Sequence, residues 1–241
     1  MGDDLSKLNQ EQLKKWLSSL QNSDGSFNAL RIGSESDCRF VFSAAAVCFI
    51  LQDFSCIDVD SASSFIKSCY NPLDGGFGLC PGQESHGGAT YTAVAALRLL
   101  GTFDQVLDEK QVTRLVRFCV SRQVSGAGGF CGRINKDADT CYAFWVGATL
   151  QMLGHQNLID RSSLGHFLDT TFNSSTGGYG KTSTAHPDPL HSHFGVSGRI
   201  LSSERSVDVM EATLGMSRQV FDTRFDASSV KDGSGNIYSP R

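Results

Sequence analysis

The chain has 241 residues, of which 40% are hydrophobic, enough for one sizeable core. Its 21 basic and 25 acidic side chains leave a net charge of −4, which excludes a nucleic-acid protein held by a broad cationic face. No apolar run reaches the roughly 18 residues needed to cross a bilayer, and the start "MGDDLSKLNQ" has no secretory h-region, so the sequence reads as cytoplasmic, without a transmembrane segment.

Taken in order, the chain alternates two kinds of helical pattern. "EQLKKWLSSLQ" is amphipathic, with apolar residues at three- and four-residue steps, and predicts an outer helix. The turn "NSDGSFNA" follows, and then "CRFVFSAAAVCFILQ", apolar nearly all round and therefore buried. The turn "NPLDGGFGL" leads to a second inner helix, "GGATYTAVAALRLL". Outer "EKQVTRLVRFCVSRQ", turn "GAGGFCG" and inner "TCYAFWVGATLQML" repeat the order, as do outer "RSSLGHFLDTTF", turn "SSTGGYGK" and inner "HSHFGVSGRILS". The turn aromatics Phe27, Phe77, Phe130 and Tyr179 are spaced by 50, 53 and 49 residues, an internal repeat. Outer and inner helices alternating at this period predict an all-α fold, a partial α/α toroid of about four helical hairpins over residues 1–201, with no sheet. Residues 202–241 read as a polar tail, weakly helical over "SVDVMEATLGMSRQVF" and otherwise loosely packed or disordered.

Cysteine usage carries no disulfide pattern: there is no C-x-x-C pair, and Cys38, Cys48, Cys69, Cys119 and Cys141 sit in apolar helical stretches as small buried hydrophobes. Asp37, Ser85, Asp139 and Asp188 are the expected N-caps of the inner helices, the last followed by Pro189 at the first helical position. In a toroid these N-termini share one end of the cavity and together favour an anion there. Arg39, His86, Cys141 and His191 fall just inside the same four helices. In mid-helix, side chains two apart point about 200° from each other, but at a cap the Asp139 carboxylate can turn toward Cys141. With His191 at the next helix mouth, Asp, Cys and His would leave one position open, as in a catalytic zinc site. On spacing alone, an N-cap beside a core cysteine remains the favoured reading. His155 and His166 read as surface groups, His193 as facing away from His191, Arg133 and Lys136 as a solvated loop, and Tyr142 and Trp145 as core or cavity lining.

The motif "DTCYAFW", with "ESHGG", "GRINK", "SDCRFVF" and "DPLHSHFG", resembles the β subunits of the protein prenyltransferases, most closely the type I geranylgeranyl branch, from "GDDLS" to about Leu201. The resemblance implies a zinc site formed by Asp139, Cys141 and His191, so that the zinc reading overtakes the cap. It implies diphosphate binding by His86, Arg133, Lys136 and Tyr142. It places Arg39 and Phe40 with the lipid and peptide sites, Trp145 on the lipid wall, and Leu190 where farnesyl enzymes carry tyrosine. Lys181 stands ten residues before His191, where other branches carry Asp, and so takes a catalytic role while magnesium is not expected to be required. Implied partners are a helical-repeat α subunit, geranylgeranyl diphosphate and C-a-a-X proteins such as small GTPases, X often Leu. Family members carry further hairpins ahead of the point matching Met1, which this chain lacks. An inactive β-like scaffold chain is therefore the alternative to an enzyme. Terpene cyclases share the glycine-aromatic turns, but no D-x-D-D or D-D-x-x-D cluster is present, and Cys80-Pro81-Gly82-Gln83 has the spacing of a thioester without its flanks.

Overall fold

The computed structural model describes residues 5–225. After a 3-10 turn at Leu5–Lys7, the outer helices are α1 (Gln10–Ser18), α3 (Val59–Ser68), α6 (Glu109–Val120) and α8 (Arg161–Thr171). The inner helices are α2 (Cys38–Leu51), α4 (Gly87–Leu100), α7 (Cys141–Met152) and α9 (Pro189–Leu201). A short α5 (Phe103–Val106) follows α4, and a second 3-10 turn, Gln156–Leu158, follows α7. Within the inner layer α2 packs on α4, α4 on α7 and α7 on α9, while α3, α6 and α8 lie against the inner helices that follow them. The expected arc of four hairpins is therefore present. Among the described residues, no helix is long and apolar enough to cross a membrane.

The repeat has a common joint. Gln21 bridges to Phe27, Tyr70 to Phe77, Gln123 to Phe130 and Phe172 to Tyr179, each as an isolated antiparallel pair. Phe27, Phe77 and Phe130 are buried, and each such ring contributes on the order of 2–3 kcal/mol by leaving water. Gly128 shows why the turns need glycine. Its φ of +80° is left-handed, and a Cβ there would stand 2.3 Å from the Ser163 carbonyl oxygen of α8. In the first and third repeats a glutamine adds a two-bond clasp. The Gln21 amide donates to the Asp58 carbonyl at 2.8 Å and its oxygen accepts the Asp58 N–H at 2.7 Å. Gln123 does the same with Asp160 at 2.9 and 3.0 Å.

Two of the four inner caps are as expected. Asp37 accepts the Arg39 N–H, and Asp188 accepts that of His191 with Pro189 opening the helix. The other two differ. The cap of α4 is His86, whose Nδ1 accepts the N–H groups of Gly88 and Ala89, whereas the Ser85 hydroxyl donates to Asp74 Oδ1 at 2.6 Å. Asp139 stands one residue ahead of the α7 cap, Thr140, although its Oδ1 still accepts the Cys141 N–H at 3.0 Å.

The polar tail is packed as far as Phe225, contrary to the expectation of a loose segment. Helix α10 (Ser206–Val209) leads to strands β1 (Met210–Glu211) and β2 (Met216–Ser217), paired antiparallel, and to α11 (Arg218–Arg224). The stretch read as one weak helix is thus broken by a hairpin, a short sheet that was not expected. Its turn is held by Glu211, whose carboxylate accepts the N–H groups of Thr213 and Leu214. Phe221 and Phe225 are buried against Phe49, with ring centroids 6.1 and 5.2 Å away. The end "KDGSGNIYSPR" lies outside the described residues.

Candidate functional site

Asp139, Cys141 and His191 come together at the N-terminal mouths of α7 and α9, each offering a ligand atom within 4.8 Å of the others. His191 Nε2 lies 3.3 Å from Asp139 Oδ1. Its other nitrogen, Nδ1, is 2.6 Å from Asp188 Oδ2, so the carboxylate that caps α9 also accepts the Nδ1–H hydrogen bond and leaves the unprotonated Nε2 lone pair facing the cluster. The His191 contacts hold the Asp188 carboxyl below the usual carboxylate range. Asp139 and Cys141 are buried, and burial together with the adjoining carboxylate raises the Cys141 thiol well above its ordinary value. A thiolate there calls for a cation. Donors on tetrahedral bonds of 2.0–2.3 Å lie roughly 3.3–3.8 Å apart, so a sulfur, an imidazole nitrogen and a carboxylate oxygen at these separations fit zinc after a small closure.

A pocket of about 240 Å³ adjoins this cluster, with Asp139 on the shared wall and Arg133, Lys136, Tyr142 and Lys181 among its lining. The loop after α6 brings Arg133 and Lys136 to it through a turn with Asn135 at a left-handed φ of 58°. Lys181 Nζ is 3.7 Å from Asp139 Oδ2, and Arg133 reaches Glu84 at 3.3 Å. The Tyr142 ring lies directly on Gly132, where a Cβ would stand 2.2 Å from the ring carbon that bears the hydroxyl. Burial pushes the Tyr142 phenol up to about 12, so it keeps its proton. Its oxygen is 2.9 Å from His86 Nε2. Because His86 Nδ1 accepts two amides, the neutral ring carries its proton on Nε2 and donates to Tyr142, leaving the phenol free to donate to a ligand. Burial and the nearby Arg133 lower the His86 pKa, consistent with that neutral ring.

Trp145 lies one turn beyond Cys141 in an aromatic band that crosses the inner layer. Its ring centroid is 5.0 Å from Tyr91, 5.2 Å from Phe144 and 4.4 Å from Phe194, and Phe42 meets Tyr91 at 5.7 Å. The tail crosses this band, the Tyr91 hydroxyl donating to the carbonyls of Ala212 and Thr213 at 3.0 Å. Leu190 is 53% exposed beside His191. Arg39 is held at its own helix start, 2.6 Å from Asp37 and 2.8 Å from Glu35, with its guanidinium 5.3 Å from the Phe40 ring. Neither Arg39 nor Phe40 lines this pocket, whose three cations stand beside the carboxylates of Asp137 and Asp139. His155, His166 and His193 are exposed, and Cys80 is a free thiol. Sequence reasoning missed the second role of Asp188, the part played by Thr140 and the rings Tyr91, Phe144 and Phe194. A carboxylate three residues before a candidate ligand histidine was a usable signal for the first.

Comparison with known proteins identifies the family and the fold. The family model described as the prenyltransferase alpha-alpha toroid domain matches residues 1–217. The chain is 41% identical over 226 residues to the geranylgeranyl transferase type-1 subunit beta of Arabidopsis thaliana, covering 90% of this chain and 59% of that protein. It is 38% identical over 220 residues to the protein of the same name from Dictyostelium discoideum, covering 91% and 61%. The chain therefore spans about three fifths of the length of these relatives. Among solved structures, Candida albicans protein geranylgeranyltransferase-I complexed with GGPP shares the fold, with a TM-score of 0.80 at 24% identity over 91% of this chain and 68% of that one.

Proposed function

Because the chain belongs to the prenyltransferase α/α-toroid family, we propose that it is the β subunit of a zinc-dependent protein geranylgeranyltransferase of type I. It would transfer the C20 group of geranylgeranyl diphosphate to the cysteine of C-terminal C-a-a-X sequences, paired with an α subunit. The observation that carries this is the convergence of Asp139, Cys141 and His191 beside a pocket lined by Arg133, Lys136 and Lys181. The similarity to two type-1 β subunits supports the lipid and the branch, and Lys181 is the residue that the resemblance to the type I branch implies ten residues before His191.

Asp139, Cys141 and His191 would hold the zinc, which supplies Lewis acidity that lets a substrate thiol exist as its thiolate near neutral pH. The thiolate sulfur attacks C1 of the allylic chain, the C–S bond forms, the C1–O bond breaks, and the electron pair leaves with the diphosphate. Negative charge then grows on the leaving oxygens. Arg133, Lys136 and Lys181 meet it with positive charge, and Tyr142, oriented by His86, meets it with a hydrogen bond. The Trp145 band offers an apolar wall for the lipid. A β-like chain that binds an α subunit without turnover is the second reading.

Metal analysis and a transfer assay separate the two. Copurified with an α subunit, the chain is expected to carry one zinc and to move labelled geranylgeranyl onto a peptide ending in C-a-a-L. Bound zinc with no transfer under any pairing would favour the scaffold.

A further inference from the structure

Thr140 stands between two of the proposed ligands, and its side chain is completely buried. As the cap residue of α7 it makes no side-chain bond to that helix. Its hydroxyl instead donates to the Gly180 carbonyl at 2.7 Å and lies 3.3 Å from the Lys181 carbonyl. Its own N–H donates to the same Lys181 carbonyl at 3.0 Å. Main chain and side chain together therefore grip the turn that carries Lys181. That grip matters because the Lys181 side chain is 61% exposed and reaches the cluster through a 3.7 Å ion pair to Asp139. A long exposed lysine sweeps a wide volume unless its backbone is anchored.

We propose that Thr140 is a positioning residue that fixes the Lys181 ammonium relative to Asp139, Cys141 and His191, so that it meets the leaving diphosphate. This rests on the function proposed above and adds to it a residue that touches neither metal nor substrate. Valine keeps the shape but leaves the Gly180 carbonyl without its hydroxyl partner, whereas serine keeps the bond.

The test uses the chain copurified with an α subunit, as wild type, Thr140→Val, Thr140→Ser, Lys181→Ala and the Thr140→Val, Lys181→Ala pair. Thr140→Val is expected to lower kcat about tenfold while KM for the lipid diphosphate moves less than about twofold, because the lysine acts on charge that develops in the transition state. Thr140→Ser should stay within about twofold of wild type, and valine should add less than about twofold once Lys181 is alanine. Bound zinc stays at the wild-type level throughout. An unimpaired valine variant, a serine variant as slow as valine, or additive losses in the pair each overturn the proposal. No transfer by wild type means that the functional reading has failed, and the clasp is then decided by hydrogen exchange of residues 180–187. Exchange there should speed at least about fivefold in Thr140→Val and not in Thr140→Ser, and an unchanged rate refutes the clasp.

Discussion

Asp188 does two things with one carboxylate: Oδ1 caps α9 through the His191 N–H, and Oδ2 binds Nδ1 of the same ring. Asparagine also caps helices well, so Asp188→Asn should leave α9 intact while removing the charge that raises the basicity of Nε2 and fixes its direction. Zinc affinity, measured by competition with a chromophoric chelator, is expected to fall about 10- to 100-fold in this variant. Affinity within about twofold of wild type would mean that other contacts orient His191. Spacing suggested this ligand set without deciding it, because the sequence does not reveal that two helix mouths 48 residues apart bring His191 Nε2 within 3.3 Å of Asp139. For the same reason Asp188 read as a cap and nothing more. The role of Thr140 was hidden because its partners are backbone carbonyls 40 and 41 residues away.

Helices and turns were far more legible, since each outer helix shows an apolar stripe and each inner helix is apolar nearly all round. Capping was less so. His86 outcompetes Ser85 because its imidazole nitrogen reaches two amides of the first turn while Ser85 is engaged by Asp74. The turn after α6 tests how glycine acts at this scale. Gly126 and Gly128 both have left-handed φ, +83° and +80°, yet a Cβ at Gly126 meets nothing within 4 Å, whereas at Gly128 it meets the α8 backbone at 2.3 Å. Gly126→Ala should cost about 1 kcal/mol of backbone strain, and Gly128→Ala roughly 3 kcal/mol or more because the first turn of α8 must also move. In thermal melts that corresponds to about 2–4 °C for the first and on the order of 10 °C for the second. Equal shifts would show that the contact between turn and helix contributes nothing beyond φ.

At the scale of the whole molecule, the arc is completed on one side by the segment that the sequence presents as a tail. Its composition is polar, but Met210, Ala212, Leu214 and Met216 alternate with a period of two, a strand signal too short to outweigh the helical reading. The hairpin so formed places Ala212 and Thr213 over Tyr91, and α11 then lays Phe221 and Phe225 on Phe49 near the end of α2. The proposed zinc and diphosphate residues lie at the N-terminal ends of the inner helices, whereas Phe49, on which α11 packs, lies at the C-terminal end of α2. Stability and metal binding should therefore separate. Phe221 is completely buried, so Phe221→Ala is expected to cost about 3–5 kcal/mol, lowering Tm by roughly 10 °C or more. Zinc stoichiometry at a temperature where the variant is folded should remain at the wild-type value. Asp222→Ala, one residue on, removes only a 3.8 Å pair with Arg218 that is exposed on the Asp222 side, worth less than about 1 kcal/mol. A Phe221 variant that melts with wild type would mean that the tail does not stabilise the ring, and zinc lost from the folded variant would mean that the two ends of the inner helices are coupled through the aromatic band.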